Sequence, residues 1–388
     1  MAAEAGIARP TFKPQARDEP RLRRAACCRH GIDWTSFDRL LHALEPRFEQ
    51  LQLRLRGEAI DPARYVDSAD GRLRLIKERV YTLMREGARL LLPQVEHGLL
   101  EARQLAAVVG RRHGLPTRAS ACLTFSDKAG SEALWLTEDC EIVQLLGRQR
   151  LLIYGLGIDD PLPGQDSAVL SPVCPTEALF DVTLDAGDVL ELPRGWWHRY
   201  VALDVPSAQL TVQIEQPTLH DYISWALARH APGRTALRRR LVDDPARSAA
   251  DLGAAVDALR ELLLDPSLLA DYRRVRAVAE RPQPEFELAW LAGQQQISDD
   301  TPLRLSTAQA PVRTADSLLV NGCALAADSP AANLLRELAQ APSLSIGQLA
   351  ARQPSMSAEA LHDALLDLSA HGLLVIGGVA VESAAGTG

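Results

Sequence analysis

Hydrophobic positions follow two different periods along this chain, and the change of period divides it. Between residues 31 and about 114 the apolar positions recur at helical spacing, so this stretch is predicted to be helical. From Thr117 onward, short apolar runs are separated by Gly, Pro, Asp and Ser, as in closely spaced strands. The predicted strands are 119–125, 141–146, 150–155, 180–184, 188–192 and 208–214. This density of short strands predicts a barrel or sandwich with helices packed before it.

The pattern changes again after the last of these strands. Residues 216–314 are leucine-rich and predicted to be helical, with helices that pack on one another or on a second copy of the chain. The rest of the chain, 315–388, forms a third unit in this interpretation. Its predicted elements are three short helices with serine caps, at 330–341, 345–353 and 357–371, and a hairpin over 372–382 that turns at Gly377-Gly378.

Three helices and a hairpin are the pattern of a winged helix. The last predicted helix has few basic residues, so we expect it to serve as a scaffold or dimer contact rather than to read DNA. Residues 1–30 mix Pro, Arg and Ala without apolar periodicity, and they are predicted to form a flexible tail.

Composition narrows the class of protein. The chain of 388 residues is 47% hydrophobic, with 42 basic and 50 acidic residues and a net charge of −8, a balance that argues against coating nucleic acid. It contains no apolar run long enough to cross a membrane, and its first residues lack the pattern of a secretory signal, so we expect a cytoplasmic protein. Six cysteines occur without a C-x-x-C pair, which favours neither a zinc site nor a disulfide framework.

The most informative stretch is Asp188-Val-Leu-Glu-Leu-Pro-Arg-Gly-Trp-Trp-His198. It indicates a strand, a Pro-Arg-Gly turn and a histidine at the start of the next strand. Upstream, Gln144, Gly147 and Arg148 form a Gln-x-x-Gly-Arg element between two strands. Together these elements resemble the JmjC or cupin-like 2-oxoglutarate oxygenases, in particular the ribosomal-protein hydroxylase branch, and the resemblance extends over roughly residues 31–388.

The resemblance implies an α+β chain built on a double-stranded β-helix, the jelly-roll or cupin-like JmjC barrel. The barrel with its N-terminal helices would occupy 31–215, a helical dimerisation region 216–314, and a winged helix 315–388. The family holds Fe(II) with a His-x-Asp pair on one strand and a distal histidine on another. Alternate residues of a strand face the same side, so such a pair can reach one metal.

Only part of that set is present here. Counting back from Gln144, the His-x-Asp positions fall on Leu134 and Leu136, while the distal histidine is retained as His198. The basic residue that the family places against the far carboxylate of 2-oxoglutarate falls on Gln149. Leucine cannot bind iron, and glutamine brings no charge to a carboxylate. The sequence therefore predicts a catalytically degenerate member without metal or cofactor, whose vestigial pocket is lined by these four residues and Trp196.

An alternative places the ligands five residues later. Asp139 and Glu141 are also two apart, and with His198 and neighbouring Glu138 they would give an unusual ligand set. In the register anchored on Gln144 they face the opposite side from residues 134 and 136, although a β-bulge reverses facing. In that case the chain would be an Fe(II)- and 2-oxoglutarate-dependent protein or peptide hydroxylase.

The expected partners follow from these two hypotheses. A barrel without metal keeps the family's peptide cleft, so we expect a non-catalytic subunit that binds a protein or peptide. The acidic balance suits a basic partner. The resemblance also implies a homodimer, or a heterodimer with a related chain, and no membrane or nucleic-acid partner is expected.

Overall fold

A computed structural model of the chain describes most of its length. The described residues are 19–27, 30–43, 51–67, 73–165, 174–201, 203, 206–240, 242–280, 284–286, 288, 292, 297–341 and 344–377. They divide into two compact units, one of the described residues up to 106 together with those from 118 to 214, the other of residues 107–117 together with those described from 215 to 377.

The first unit contains most of the strands. Its helices and strands, in chain order, are β1 (Arg21–Arg23), α1 (Trp34–Ala43), β2 (Gln52–Leu55), β3 (Glu58–Ala59), β4 (Val66–Asp67), β5 (Arg74–Leu75), α2 (Lys77–Arg85), β6 (Arg89–Leu92), α3 (Leu100–His113), β7 (Thr117–Thr124), β8 (Cys140–Leu146), β9 (Arg148–Leu156), β10 (Phe180–Asp185), β11 (Val189–Leu192), β12 (Trp196–Val201) and β13 (Ser207–Ile214). The division between the units passes through α3 and the start of β7.

Two sheets pack face to face in this unit. The larger has eight strands in the order β1-β11-β8-β13-β7-β6-β2-β3, and the smaller has the order β10-β9-β12. Alternate residues of both sheets point between them and form one hydrophobic core, as a strand period of two requires. The core residues include Cys140, Ile142, Leu151, Ile153, Leu184, Leu190, Leu192, Trp196 and Tyr200.

The second unit is helical at first and mixed later. Its remaining elements are α4 (Leu219–His230), α5 (Pro245–Leu263), α6 (Pro266–Ala279), β14 (Pro302–Leu305), β15 (Val312–Arg313), β16 (Ser317–Val320), β17 (Cys323–Ala326), α7 (Pro330–Ala339), β18 (Leu344–Ser345), α8 (Ile346–Arg352), α9 (Ala358–Ala370) and β19 (Leu374–Ile376). Helices α4 and α6 meet through Tyr222, Trp225 and Tyr272, whose ring centroids lie 5.2–6.4 Å apart.

The predicted C-terminal helices are present with their caps. Ser329, Ser345 and Ser357 each accept a backbone hydrogen bond at the start of α7, α8 and α9. The predicted domain boundary at residue 315 does not match the sheet, because β14 pairs with β18 and β19 and so joins the elements that follow it. The second strand of the predicted hairpin, after Gly377, lies outside the described residues. The winged helix therefore stays a prediction.

Two expectations for the N-terminal part need correction. The stretch predicted to be helical contains β2 to β6 as well as α1 to α3. Here the alternation Leu51-Gln-Leu-Arg-Leu55, followed by Arg56 and Gly57 at φ 53° and 92°, forms a hairpin with two positive-φ turn residues. The predicted tail is also shorter than expected, because β1 pairs with β11 at the edge of the large sheet.

Charge and burial together explain why β1 is held. Leu22 packs against the core between the sheets, while Arg23 points to the other side. There its Nη2 donates to the buried carboxylate of Glu141 at 2.7 Å, and its Nε lies 2.8 Å from a Glu191 oxygen. Partly buried charge-assisted bonds of this kind are stronger than those on an open surface.

The helices bear on the expectation that no segment of the chain crosses a membrane. Among the described residues, no helix is both long and apolar enough to cross a bilayer.

Replacing Arg23 by alanine tests the docking of β1. The substitution removes the arginine from the Glu141 carboxylate, whose side chain is only 2% exposed. We expect the free energy of unfolding to fall by about 2 kcal/mol, as measured by urea denaturation. Arg21→Ala is the matched control on the same strand, because Arg21 is exposed. Equal losses in the two variants would contradict this account of β1.

Candidate functional site

The Pro-Arg-Gly turn fixes the approach to His198. Gly195 has φ 78°, and a Cβ at this position would lie 2.1 Å from the carbonyl oxygen of Ile158. Its amide donates to the carbonyl of Leu136 at 2.8 Å. A larger residue would therefore be excluded both by its backbone conformation and by contact. The turn places the strand that carries His198 beside residues 134–136.

Leu134 and His198 face each other across this junction. The amide of Leu134 donates to the carbonyl of His198 at 2.9 Å, and the amide of His198 donates back at 2.8 Å. Two residues that exchange both bonds in an antiparallel pair project their side chains from the same face. The position at which the family resemblance expects a metal-binding histidine is thus directly opposite the histidine that this chain retains.

The His198 ring is enclosed completely. Its Nδ1 lies 3.1 Å from the Trp196 carbonyl oxygen, and Nδ1 must carry the proton to donate this bond. Nε2 then presents a lone pair, and it has no hydrogen-bond partner. Burial lowers the pKa of His198 to about 4, the nearby Arg89 charge acts in the same direction, and the bond to Trp196 opposes them. The imidazole is neutral at physiological pH.

Apolar side chains occupy the surroundings of the retained histidine. Leu136 packs against the core between the sheets, which also contains Trp196 at 6% exposure. Trp196 is thus a core residue of the barrel, next to Phe180 at a centroid distance of 6.4 Å. Cys140 is buried in the same core, and burial raises the pKa of its thiol, so it is held as a neutral thiol.

The glutamine at the expected cosubstrate position is committed to the backbone. Gln149 is 2% exposed, and its Nε2 donates to the carbonyls of Val201 at 2.6 Å and Arg150 at 3.3 Å. Both bonds are internal to the small sheet, which pairs β9 with β12. Gln149 therefore acts as a bridge between neighbouring strands.

The Gln-x-x-Gly element has a structural role as well. Gln144 donates to the Ser207 hydroxyl at 2.9 Å and to the Leu146 carbonyl at 2.8 Å. Gly147 has φ 65°, and a Cβ there would lie 1.9 Å from the Pro206 carbonyl oxygen. The element thus shapes the turn from β8 to β9 and joins it to the start of β13.

The alternative ligand set does not converge on His198. Asp139 accepts a hydrogen bond from the Arg194 amide at 2.9 Å, and the buried Glu141 pairs with Arg23 on the face of the sheet opposite to Cys140. Glu138 forms an ion pair with Arg118. Between Asp139 and Glu141, it is Cys140 that points into the core. Asp139 and Glu141 therefore point to the opposite side from Cys140, as expected from the register anchored on Gln144.

Residues that sequence reasoning missed lie deeper in the barrel. The guanidinium of Arg89 stacks on the Tyr200 ring, 4.2 Å from its centroid, and the Gln209 side chain lies beside the Tyr200 hydroxyl. The ring of His198 meets that of Tyr200 edge to face, with centroids 5.4 Å apart. A lone arginine within the apolar run of β6 was the available signal, since charges rarely occupy the inner positions of a strand.

These side chains do not fit an Fe(II) centre. Within the described part of the chain, no three His, Cys, Asp or Glu side chains are grouped to hold a metal ion. Iron of the family type needs a facial set of two histidines and a carboxylate. The structure supplies one of the three, His198, with leucine at the other two positions.

The buried neutral histidine predicts a specific loss of stability in acid. Because its folded pKa of about 4 lies below the value of 6.5 for the unfolded chain, the unfolded state binds the extra proton between these pH values. Stability should therefore fall by about 3 kcal/mol as pH drops from 6.5 to 4 on account of this residue. His198→Gln should flatten this part of the profile in urea titrations at several pH values. His42→Gln, at an exposed position on α1, should leave the loss of stability in acid unchanged. If His198→Gln keeps the full dependence of stability on pH, another group is responsible.

Comparison with known proteins agrees with this architecture. A family model for the JmjC domain matches residues 98–222. No curated protein sequence matches the chain. The structure of the Escherichia coli ribosomal oxygenase YcfD with cobalt and 2-oxoglutarate matches with a TM-score of 0.54 at 17% identity, over 93% of this chain and 95% of that one.

Other structures of YcfD give the same result. The complex with cobalt and succinic acid has a TM-score of 0.53 at 17% identity, over 92% of this chain and 95% of that one. A further crystal structure has a TM-score of 0.51 at 16% identity, over 92% and 94%. At such identity the likeness shows the fold. The chain thus carries a JmjC domain within an α+β, cupin-like fold that resembles YcfD over most of its length.

Proposed function

We propose that this protein is a JmjC-fold subunit that has lost the iron and 2-oxoglutarate chemistry of its relatives and acts by binding a protein or peptide. The observation that carries the proposal is the pairing of Leu134 with His198. This pairing supports the register in which Leu134 and Leu136 stand at the His-x-Asp positions. In this register, the sequence can be explained without placing the metal ligands five residues later.

Electrostatics at the cosubstrate position argues in the same direction. A 2-oxoglutarate carboxylate buried in a barrel needs a cation to offset its loss of hydration. Gln149 is neutral, and its amide is already bonded to the Val201 carbonyl. Turning this amide towards a ligand would leave a backbone acceptor without its partner. Both the metal and the cosubstrate therefore lack their main contacts.

The proposed partner is a basic protein segment. The chain carries a net charge of −8, which favours association with a positively charged peptide. YcfD, which this fold resembles, is described as a ribosomal oxygenase. A ribosomal protein is thus the partner class that we propose for this chain, as a ligand to be bound rather than modified.

We also propose that the chain pairs with a second copy or a related chain through its helical region. Leu219 on α4 is 79% exposed, and Leu252 and Val256 on α5 are 60% and 57% exposed. Leu252 and Val256 are four residues apart, so they lie on one face of α5. Apolar side chains so spaced on a helix surface are typical of a packing face.

Rebuilding the family's ligand pair tests the lapsed site. Leu134→His combined with Leu136→Asp places an imidazole opposite His198 and a carboxylate two residues further on the same face. We expect the native chain to bind no Co(II) at this site and the double variant to bind one Co(II) per chain, seen as visible absorption bands of the metal. Adding His198→Ala to the double variant should remove those bands.

Two outcomes would overturn the proposal. One Fe(II) or Co(II) per native chain, with a thermal shift that needs 2-oxoglutarate and is lost in His198→Ala, would show a working metal site. Consumption of 2-oxoglutarate by the native chain in the presence of a basic ribosomal peptide would show the same for catalysis.

The proposed pairing is tested by sedimentation equilibrium. Leu252→Glu with Val256→Glu introduces two charges onto the exposed face of α5. We expect the native chain to sediment with the mass of two chains and the variant with the mass of one, because charges are costly at the centre of an apolar interface. A native mass of one chain at micromolar concentration would contradict the pairing.

A further inference from the structure

The chain between β1 and α1 is attached to the large sheet at several points. β1 pairs with β11 along its edge. Just after β1, the amide of Ala25 donates to the Asp188 carboxylate at 2.9 Å, and the amide of Cys27 donates to the Gly187 carbonyl at 2.9 Å. Ile32, shortly before α1, is only 3% exposed. We call residues 21–27 and 30–32 the strap.

His30 fastens the strap to β8. Its Nδ1 accepts a hydrogen bond from the Ile32 amide at 3.1 Å, so the proton of the neutral ring is on Nε2. The hydrogen bond between the ring and the Leu145 carbonyl is therefore donated by Nε2. No residue of β13 lies directly opposite Leu145, because the register shifts between Ala208 and Gln209. A residue skipped in this way lies outside the ladder, where a side chain can reach its backbone.

These two bonds require a neutral imidazole. A second proton on Nδ1 would turn this acceptor into a donor that faces the N–H of Ile32. Burial lowers the pKa of His30, while the bond to the Leu145 carbonyl opposes this effect. The imidazole therefore takes up a proton more readily when the strap is detached and the ring is in water.

No neighbouring charge holds a proton on the attached ring. The charged side chains on the surrounding elements are those of Arg24, Asp33, Glu101 and Asp188. Asp33 accepts hydrogen bonds from Ser36, and Asp188 pairs with Arg24. Glu101 approaches the backbone beside His30 with its Cγ. Among the residues that the structure describes, no carboxylate forms an ion pair with His30.

We propose that His30 makes the strap a cover over the edge of β11 that acid releases. Near neutral pH the ring is neutral, and its two bonds hold the strap on the sheet. In acid, a proton from solvent binds Nδ1 as the strap leaves, and β11 loses its neighbour on this side. The carboxylates that face Arg23 and Arg24 lose their ion pairs in the same step. This switch stands independently of the proposed function of the chain.

Hydrogen exchange of the full chain, followed by mass spectrometry, tests the proposal. The measured quantity is the protection of the strap amides, corrected for the intrinsic dependence of amide exchange on pH. Detached His30 has the ordinary pKa of 6.5 and gains a proton as pH falls, whereas the attached ring does not. We therefore expect the protection to fall about 10-fold between about pH 7.5 and 5.5, while β8 and β13 stay protected.

The variant His30→Gln removes the titration and keeps a side chain that both accepts and donates hydrogen bonds. Protection of its strap should be the same at both pH values. The criterion is the ratio between the two pH values, so a strap that is looser at both does not obscure the result. His42→Gln, at an exposed position on α1, is the matched control and should keep the fall of about 10-fold.

A second control separates the strap from the whole barrel. His198→Gln should keep the loss of strap protection in acid, because His198 acts on global stability and not on the strap. Three results would each overturn the inference. They are strap protection in the native chain that does not change with pH, an equal fall in His30→Gln, and a fall that occurs only together with loss of protection in β8 and β13.

Discussion

The pairing of Leu134 with His198 through two backbone hydrogen bonds determines what the barrel interior contains. It places residues 134, 136, 196 and 198 on one face, and it depends on the close turn at Gly195. Asp139 and Glu141 point away from this core, because Cys140 between them packs into it. The same few bonds therefore decide which side chains surround His198.

Polar side chains are unevenly distributed in the barrel interior. Near Leu136 and Trp196 it is filled by hydrocarbon, as in an ordinary sandwich core. Towards β6 it holds Arg89, Gln209 and His198 around a tyrosine, with several of their polar atoms unpaired. Buried polar groups without partners cost stability, so this part of the interior is less favourable than the hydrocarbon beside it.

Local patterns predicted the central strands and the terminal helices well. Turn residues separate strands such as β8 and β13 from their neighbours in sequence. Ser345 and Ser357 cap helices as expected. The JmjC-like fold was likewise predicted, from the Pro-Arg-Gly and Gln-x-x-Gly elements. Their glycines turn out to be required by positive φ and close backbone contact, which explains why these motifs report on the fold more than on chemistry.

What the sequence left hidden depends on distant partners. Arg23 looks like part of a basic tail until Glu141 and Glu191, more than one hundred residues away, are placed beside it. Arg89 and Gln209 belong to different strands, and nothing in either neighbourhood indicates that both meet Tyr200. The roles assigned to the helical region and to the terminal module remain predictions, because they concern contacts with other molecules.

The first strand also protects the sheet from its surroundings. β1 covers the free edge of β11, whose backbone groups would otherwise be open to any extended chain. Arg23 at its end pairs with Glu141 on β8, and Arg24 just after it pairs with Asp188, directly before β11. A shortened protein starting at residue 31 would keep its barrel motifs yet expose an unpaired strand edge and uncompensated carboxylates. Such a form invites self-association through that edge, so the few residues of β1 bear on solubility as much as on folding.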